Sequence, residues 1–438
     1  MDLLIVPVPL FNNDNEVEAY LFQYRKGNDL LSAATDNIHL DGAMKSPIME
    51  MLGVVGLDAL TMGKPIFVPI NKYMLMANVE KSCSEPADKI IFLLEDNVKG
   101  GTSNVKKLKR LREEGYRFGI RGIENIAAYV PILELCDYIF YDPRRFGEPN
   151  MVKLRGIIAE KFPHLQCVYT NVDSMDVFQS ARKNHKGLYE GAFYRMPFTE
   201  GDNKVTPLQI NMINLLNKVR SDNFDFDAVS KIIQRDPALT ISLLRMVNTV
   251  RRGARNEIKT INGAVVMLGQ EEVRKWITAA AANKLGSEKP NEITKLSLVR
   301  ARFAEALAVK FNLYADGQSL FLMGVFSVLD AMLEMPMDEA LKLVLVAGDI
   351  SEALVSRTGK YGDVYKFMIA YESADWSLVS RMLILYDLST EDIYSAYVEA
   401  LCWYRDMVSG SPEADGEAEE GTGEEAGKEA GKEAGATE

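Results

Sequence analysis

Apolar, β-rich runs recur through the first 200 residues, at 3–8, 65–70, 90–94, 138–141, 166–168 and 192–194. Helix-like segments such as 104–114 and 150–160 separate most of them. That alternation is the signature of βα units around a parallel sheet, where strands are covered on both faces and helices on one. From about Pro207 long amphipathic patterns take over, with almost no strand signal. One helix there has a legible start. Asp236 can cap free amides and Pro237 suits the first helical position, and Leu239, Leu243, Met246 and Val247 follow at helical spacing. The segment between Pro197 and Pro207, holding Thr199-Glu200-Gly201-Asp202-Asn203, reads as the boundary between an α/β barrel module at 1–203 and an all-helical module at 204–408. Residues 409–438 read as a disordered tail. From Ser411 it repeats Glu-Ala-Gly-Lys without a large apolar residue and cannot recover its ordering entropy by burial.

At 438 residues the chain is long enough for two or three cores, and its 47% hydrophobic content can fill them. No stretch approaches the roughly 20 apolar residues of a membrane span, and the start lacks a basic n-region, so a cytoplasmic protein is the expectation. Cys83, Cys136, Cys167 and Cys402 form no CxxC pair, which signals buried free thiols in place of a zinc site or disulfide framework. The formal charge of −12 is concentrated at the end: ten acids and two lysines after residue 410 give −8, leaving −4 for the rest. A body so mildly acidic does not call for nucleic acid.

Several motifs in the first module follow one another in the order of a known family. Val8-Pro9-Leu10-Phe11 resembles the opening QPIF strand of EAL domains. Ile70-Asn71 resembles their asparagine-bearing strand, and Leu93-Leu94-Glu95-Asp96 their glutamate-bearing strand. Asp137-Tyr138-Ile139-Phe140-Tyr141-Asp142 resembles the DyIKiD strand, and Tyr189-Glu190-Gly191-Ala192-Phe193 the closing QGYyF. EAL domains are TIM-type barrels that hydrolyse cyclic di-GMP, so the resemblance implies a site at the C-terminal ends of the strands. A two-metal phosphodiesterase needs several carboxylates there to hold cations about 4 Å apart.

The chain departs from that pattern at the ligands themselves. The signature acid of the EAL tripeptide falls at Leu21, and Glu18 lies on the other face of its strand. The paired aspartates of the DDFG segment fall at Arg121-Gly122, the IKiD lysine at Phe140, and the AEgVE segment reads Tyr169-Thr170-Asn171-Val172-Asp173. The retained set is Asn71, Glu95, Asp142 and Asp173, with Glu190 in the glutamine position. The lost or replaced positions are Leu21, Arg121, Gly122, Phe140 and Thr170. Few oxygen ligands beside an arginine suit a divalent pair poorly, so the resemblance implies a vestigial site with no catalytic residue, metal or cofactor. Hydrogen-bonded rim residues and a pocket that binds without turnover both remain open, since Arg121 can meet a phosphate.

The second module resembles an HDOD domain, a relative of the HD metal phosphohydrolases, through residues 232–240, 243–248 and 261–269. Its His-Asp metal pair is replaced by Ser327-Val328. The chain's three histidines, His39, His164 and His185, all lie in the first half. A helical module without that site is a scaffold for contacts, and the family is associated with bacterial signalling. Arg251, Arg252, Arg255 and Lys259, with Arg274 and Lys275 further on, read as a solvated loop or as a docking patch for an acidic partner or phosphate. No aromatic platform accompanies them, which argues against nucleic acid. Trp276, Trp376 and Trp403 read as packing residues.

The expectation is a non-catalytic bacterial signalling adaptor whose two modules present protein-binding surfaces in cyclic di-GMP or motility regulation. A cyclic di-GMP receptor without turnover is the alternative. An active cyclic di-GMP phosphodiesterase stands last.

Overall fold

A computed structural model describes residues 3–26, 52, 56–83, 85–123, 126–142, 148–184, 186–196, the helical positions 213, 216, 217, 230, 233, 243 and 247, and residues 260–285, 291–344, 346 and 348–409. The boundary near Gly201, the helix start at Asp236-Pro237, the cluster Arg251, Arg252, Arg255 and Lys259, and the acidic tail lie outside the described residues.

Eight strands close a barrel in sequence order. They are β1 (Leu3–Phe11), β2 (Val17–Lys26), β3 (Ile66–Ile70), β4 (Ile90–Leu94), β5 (Arg117–Ile120), β6 (Tyr138–Tyr141), β7 (Gln166–Tyr169) and β8 (Gly187–Tyr189). The expected TIM-type barrel is there, with one difference from the all-parallel form. β1 runs antiparallel to β2, from Leu3↔Lys26 to Leu10↔Ala19, and antiparallel to β8 at Phe11↔Tyr189; every other pair is parallel. The connection explains it. Asn12 Oδ1 accepts from the N–H groups of Asp14 (2.9 Å) and Glu16 (3.1 Å), a tight turn too short for a parallel crossover.

Leu10, Ala19, Leu21, Phe67, Ile91, Leu93, Phe140, Val168 and Leu188 form a single inner apolar cluster. Gly119 lets this interior close, because a Cβ there would lie 3.2 Å from both Leu93 and Phe67. Tyr20 and Phe22 belong to the other core, so Glu18 shares their outward phase, in agreement with its expected register. Around the barrel lie α1 (Leu57–Thr61), α2 (Lys72–Met76), α3 (Thr102–Glu113), α4 (Val130–Leu133), α5 (Glu148–Lys161) and α6 (Met175–Asn184). One expected strand is corrected: residues 193–195 form a 3-10 turn. Gly191 approaches the 172 backbone so closely that a Cβ would sit 2.0 Å from Val172 O, and Phe193 N–H donates to that carbonyl at 3.2 Å. The eighth strand lies just before it.

The second module is helical throughout its described length. Its helices are α7 (Ile261–Leu285), α8 (Asn291–Lys310), α9 (Gly317–Phe326), α10 (Leu329–Leu333), α11 (Met337–Leu343), α12 (Gly348–Ser356), α13 (Gly362–Glu372), α14 (Trp376–Leu385) and α15 (Thr390–Ser409). α8 is the hub, packing on α7, α9, α13 and α15. Gly324 of α9 lets that helix lie close against α8, since a Cβ there would lie 2.4 Å from Ala301 Cα. Trp276 is buried, and the Trp376 and Trp403 rings meet Tyr371 and Phe321 edge-on, as packing residues do.

The two modules interlock along β1 and β2. Ile5 N–H donates to the Tyr371 hydroxyl (3.4 Å), which donates back to Ile5 O (3.1 Å). Ile5 therefore turns its peptide groups away from β2, and by alternation Pro7 and Pro9 do the same. Both prolines fall where an N–H would face that side. Tyr20 OH donates to Glu292 Oε2 (2.7 Å) and accepts from Lys295 Nζ (2.9 Å), which also donates to Leu60 O (3.0 Å). Arg25 Nη1 donates to Trp376 O (2.7 Å).

Candidate functional site

A cavity of about 440 Å³ opens at the C-terminal ends of the strands, within the size range of ligand sites. Leu21, Glu95, Arg121, Gly122, Phe140, Asp142, Thr170 and Glu190 all line it, so the structure brings together eight of the residues singled out in the barrel sequence. Among the described residues, Gln23, Asn171 and Ser373 line it as well. Two expected members stand elsewhere. Asn71 caps α2, its Oδ1 accepting from Met74 N–H at 2.9 Å, and Asp173 lines a neighbouring cavity of about 310 Å³ between the modules.

Arg121 follows β5 directly, and the left-handed Gly122 (φ 75°) turns the chain beyond it. Its guanidinium grips Glu95, Nε on Oε2 at 3.1 Å and Nη2 on Oε1. With the two side chains 36% and 29% exposed, the pair contributes at most about 1 kcal/mol, but it occupies both oxygens of the carboxylate. On the opposite rim Asn171 is the organiser. In the left-handed conformation (φ 60°), its Nδ2 donates to Asp142 Oδ1 (3.0 Å) and Thr170 Oγ1 (3.2 Å), and its N–H donates to Glu190 Oε2 (3.1 Å). Asparagine tolerates that backbone better than other non-glycine residues, which was the available signal for it. Gln23 was also legible, by its inward phase with Ala19 and Leu21. Ser373 carried no signal, since it arrives from the helical module.

Glu95 is engaged by a cation, Leu21 and Phe140 offer no donor atom, and Asp142 and Glu190 hold the Asn171 loop.

In the helical module Ser327 is buried, donates to Gly324 O (2.6 Å) and accepts from Arg300 Nη1 (3.0 Å). Arg300 is 3% exposed and pairs with Glu372 through Nε–Oε1 (2.7 Å) and Nη2–Oε2 (2.6 Å). Burial works against the Arg300 charge, but the carboxylate outweighs it and holds the guanidinium pKa above its ordinary value. A guanidinium thus abuts the serine at the position of the expected His-Asp pair. Arg195 of the barrel also reaches Glu372, Nη1 on Oε2 at 3.3 Å. Of the wider basic group, Lys275 is tied to Glu305 (2.6 Å) and Glu272 (3.0 Å).

Residues 206–335 match the family model of the HDOD domain. Two curated proteins are similar over most of the chain. One, named "Uncharacterized protein YuxH" in Bacillus subtilis (strain 168), is 24% identical over 427 residues, 93% of this chain and 99% of its own. The other, named "Cyclic di-GMP phosphodiesterase CdgJ" in Vibrio cholerae serotype O1, is 24% identical over 400 residues, 91% of each. Among solved structures, the EAL-like domain protein YdiV aligns at TM-score 0.34 and 11% identity over 43% of this chain and 90% of its own. A standalone EAL protein of Vibrio cholerae O395 bound to cyclic di-GMP aligns at 0.33 and 14%, over 44% and 90%. The chain thus carries an HDOD domain behind a closed eight-stranded barrel, the module order that its motifs imply for an EAL-HDOD protein.

Proposed function

We propose that the chain is a non-catalytic signalling regulator, with a degenerate EAL barrel over 1–203 and an HDOD module over 204–408 presenting surfaces to a protein partner in cyclic di-GMP-linked regulation. The observation that supports this is the Arg121–Glu95 pair: a guanidinium holds the carboxylate that a metal would need, where the family resemblance implies acids. The module order and the name of the Vibrio cholerae relative support the link to cyclic di-GMP. A second reading, a receptor that binds cyclic di-GMP without cleaving it, is favoured by the polar rim of Gln23, Thr170, Asn171 and Asp142 around the mouth.

Calorimetric titration with cyclic di-GMP, with and without Mg²⁺ or Ca²⁺, separates the readings. No heat and no linear product is the expected result. Heat without product supports the receptor, whereas turnover that EDTA arrests would overturn both. For the regulator, recovery of a defined partner from the native host with the intact chain is the expected outcome, and repeated failure across growth conditions counts against it.

A further inference from the structure

We propose that the short turn between α13 and α14 is a gate over the barrel mouth, and that Arg195 is its bolt. Among the described residues lining the mouth, Ser373 alone comes from the helical module. The mouth and the junction cavity share Gln23, Asn171, Glu190 and Ser373, so these four side chains are the wall between two spaces. The first three stand on barrel strands or the loops directly after them. Only Ser373 of the four sits on a turn between two helices.

That segment is bounded on both sides. Tyr371 is pinned to Ile5, and Trp376 O accepts from Arg25, so Glu372 to Asp375 lie between two fixed points on β1 and β2. Ala374 within it adopts a left-handed backbone (φ 51°), a conformation that its Cβ disfavours. The fastenings of the turn are unequal. Glu372 binds Arg300 in its own module at 2.7 and 2.6 Å, whereas Arg195 of the barrel holds Glu372 Oε2 and Ser373 Oγ at 3.3 Å each. Longer hydrogen bonds are weaker, so the barrel side parts first. It parts without stranding a buried charge, because Glu372 keeps Arg300 and the Arg195 side chain, 20% exposed, can turn to water. Opening joins the two cavities, so that whatever enters the mouth is felt by the helical module. This goes beyond the functional proposal and does not depend on which ligand, if any, the mouth takes.

Hydrogen exchange on the full chain tests the gate directly. The amides of Ser373, Ala374, Asp375 and Trp376 donate to the Ile369, Tyr371, Ala370 and Ala374 carbonyls within α13 and the turn itself, so their exchange reports how far the turn loosens once its barrel fastening is removed. Arg195→Ala is expected to speed their exchange at least ten-fold while leaving α11 and α12 unchanged, with Arg195→Lys in between. In a Thr170→Cys background, peptide-resolved maleimide labelling of the mouth is expected to quicken at least ten-fold with Arg195→Ala. Unchanged exchange at 373–376, unchanged labelling, or an equal acceleration along the whole chain would each overturn the gate; the last would make Arg195 a general structural pin.

Discussion

Two arginines mark the two sites, and they differ in depth. Arg121 meets Glu95 at a partly exposed rim, so Arg121→Ala should lower stability by less than about 1 kcal/mol in denaturant unfolding. It should also yield no phosphodiesterase activity, because Leu21 and Phe140 remain without donor atoms. Arg300 and Glu372 are both nearly inaccessible (3% and 7%), and Glu372→Gln leaves a guanidinium without its counter-charge, an expected loss of about 3–5 kcal/mol by the same measurement. Asp330 lies close by. Burial raises its carboxyl pKa above the ordinary value, against weaker opposing pulls from the Ala331 N–H and Arg300. The native state therefore keeps this proton to higher pH than the unfolded chain does, and stability drains away as pH climbs from the unfolded to the folded pKa. Asp330→Asn removes that drain. Melting curves should show the variant above the parent at neutral pH, with the gap closing toward pH 3; a gap independent of pH would refute the assignment. The barrel residues at strand ends were legible because their neighbours form recognisable strands. Arg300 was not, since within Val299-Arg300-Ala301-Arg302 it reads as one cation among others on an amphipathic helix.

Local sequence was a good guide where an element is held by its own side chains, and a poor one where distant residues satisfy it. β3, β4 and β6 are short apolar runs, almost wholly buried between the interior and the helices, and β7 buries its Val168 and Tyr169; their β-branched and aromatic residues announce them. β2 carries Gln23 and Arg25, which break that pattern, and the buried Arg25 is answered by a carbonyl 351 positions away. β5 has only four residues, one of them Gly119, so its apolar signal is diluted. Conversely, residues 192–194 look like a strand but are bent by the close approach of Gly191 to Val172. Two substitutions probe such contacts. Gly324→Ala would drive a methyl into the α8 backbone, at an expected cost of about 1–3 kcal/mol in chemical denaturation. Ala374→Gly relieves a left-handed alanine and should raise stability by about 1 kcal/mol.

At the scale of the whole molecule the modules share their walls. Tyr371 on Ile5, Arg25 on Trp376, Lys295 on Tyr20 and Arg195 on Glu372 all cross the junction, and three of the four contacts involve β1 or β2. Calorimetric unfolding of the full chain should therefore give a single transition; two separated transitions would show that these contacts do not couple the modules. Should that coupling fail, the paired prolines of β1 acquire a protective role. A chain stripped of its helical half by proteolysis would bare the outer margin of β1, where a second molecule could dock and propagate an edge-to-edge polymer. With Pro7 and Pro9 at alternate places along that margin, the docking strand finds two missing donors in succession, so such fragments are built to stay dispersed.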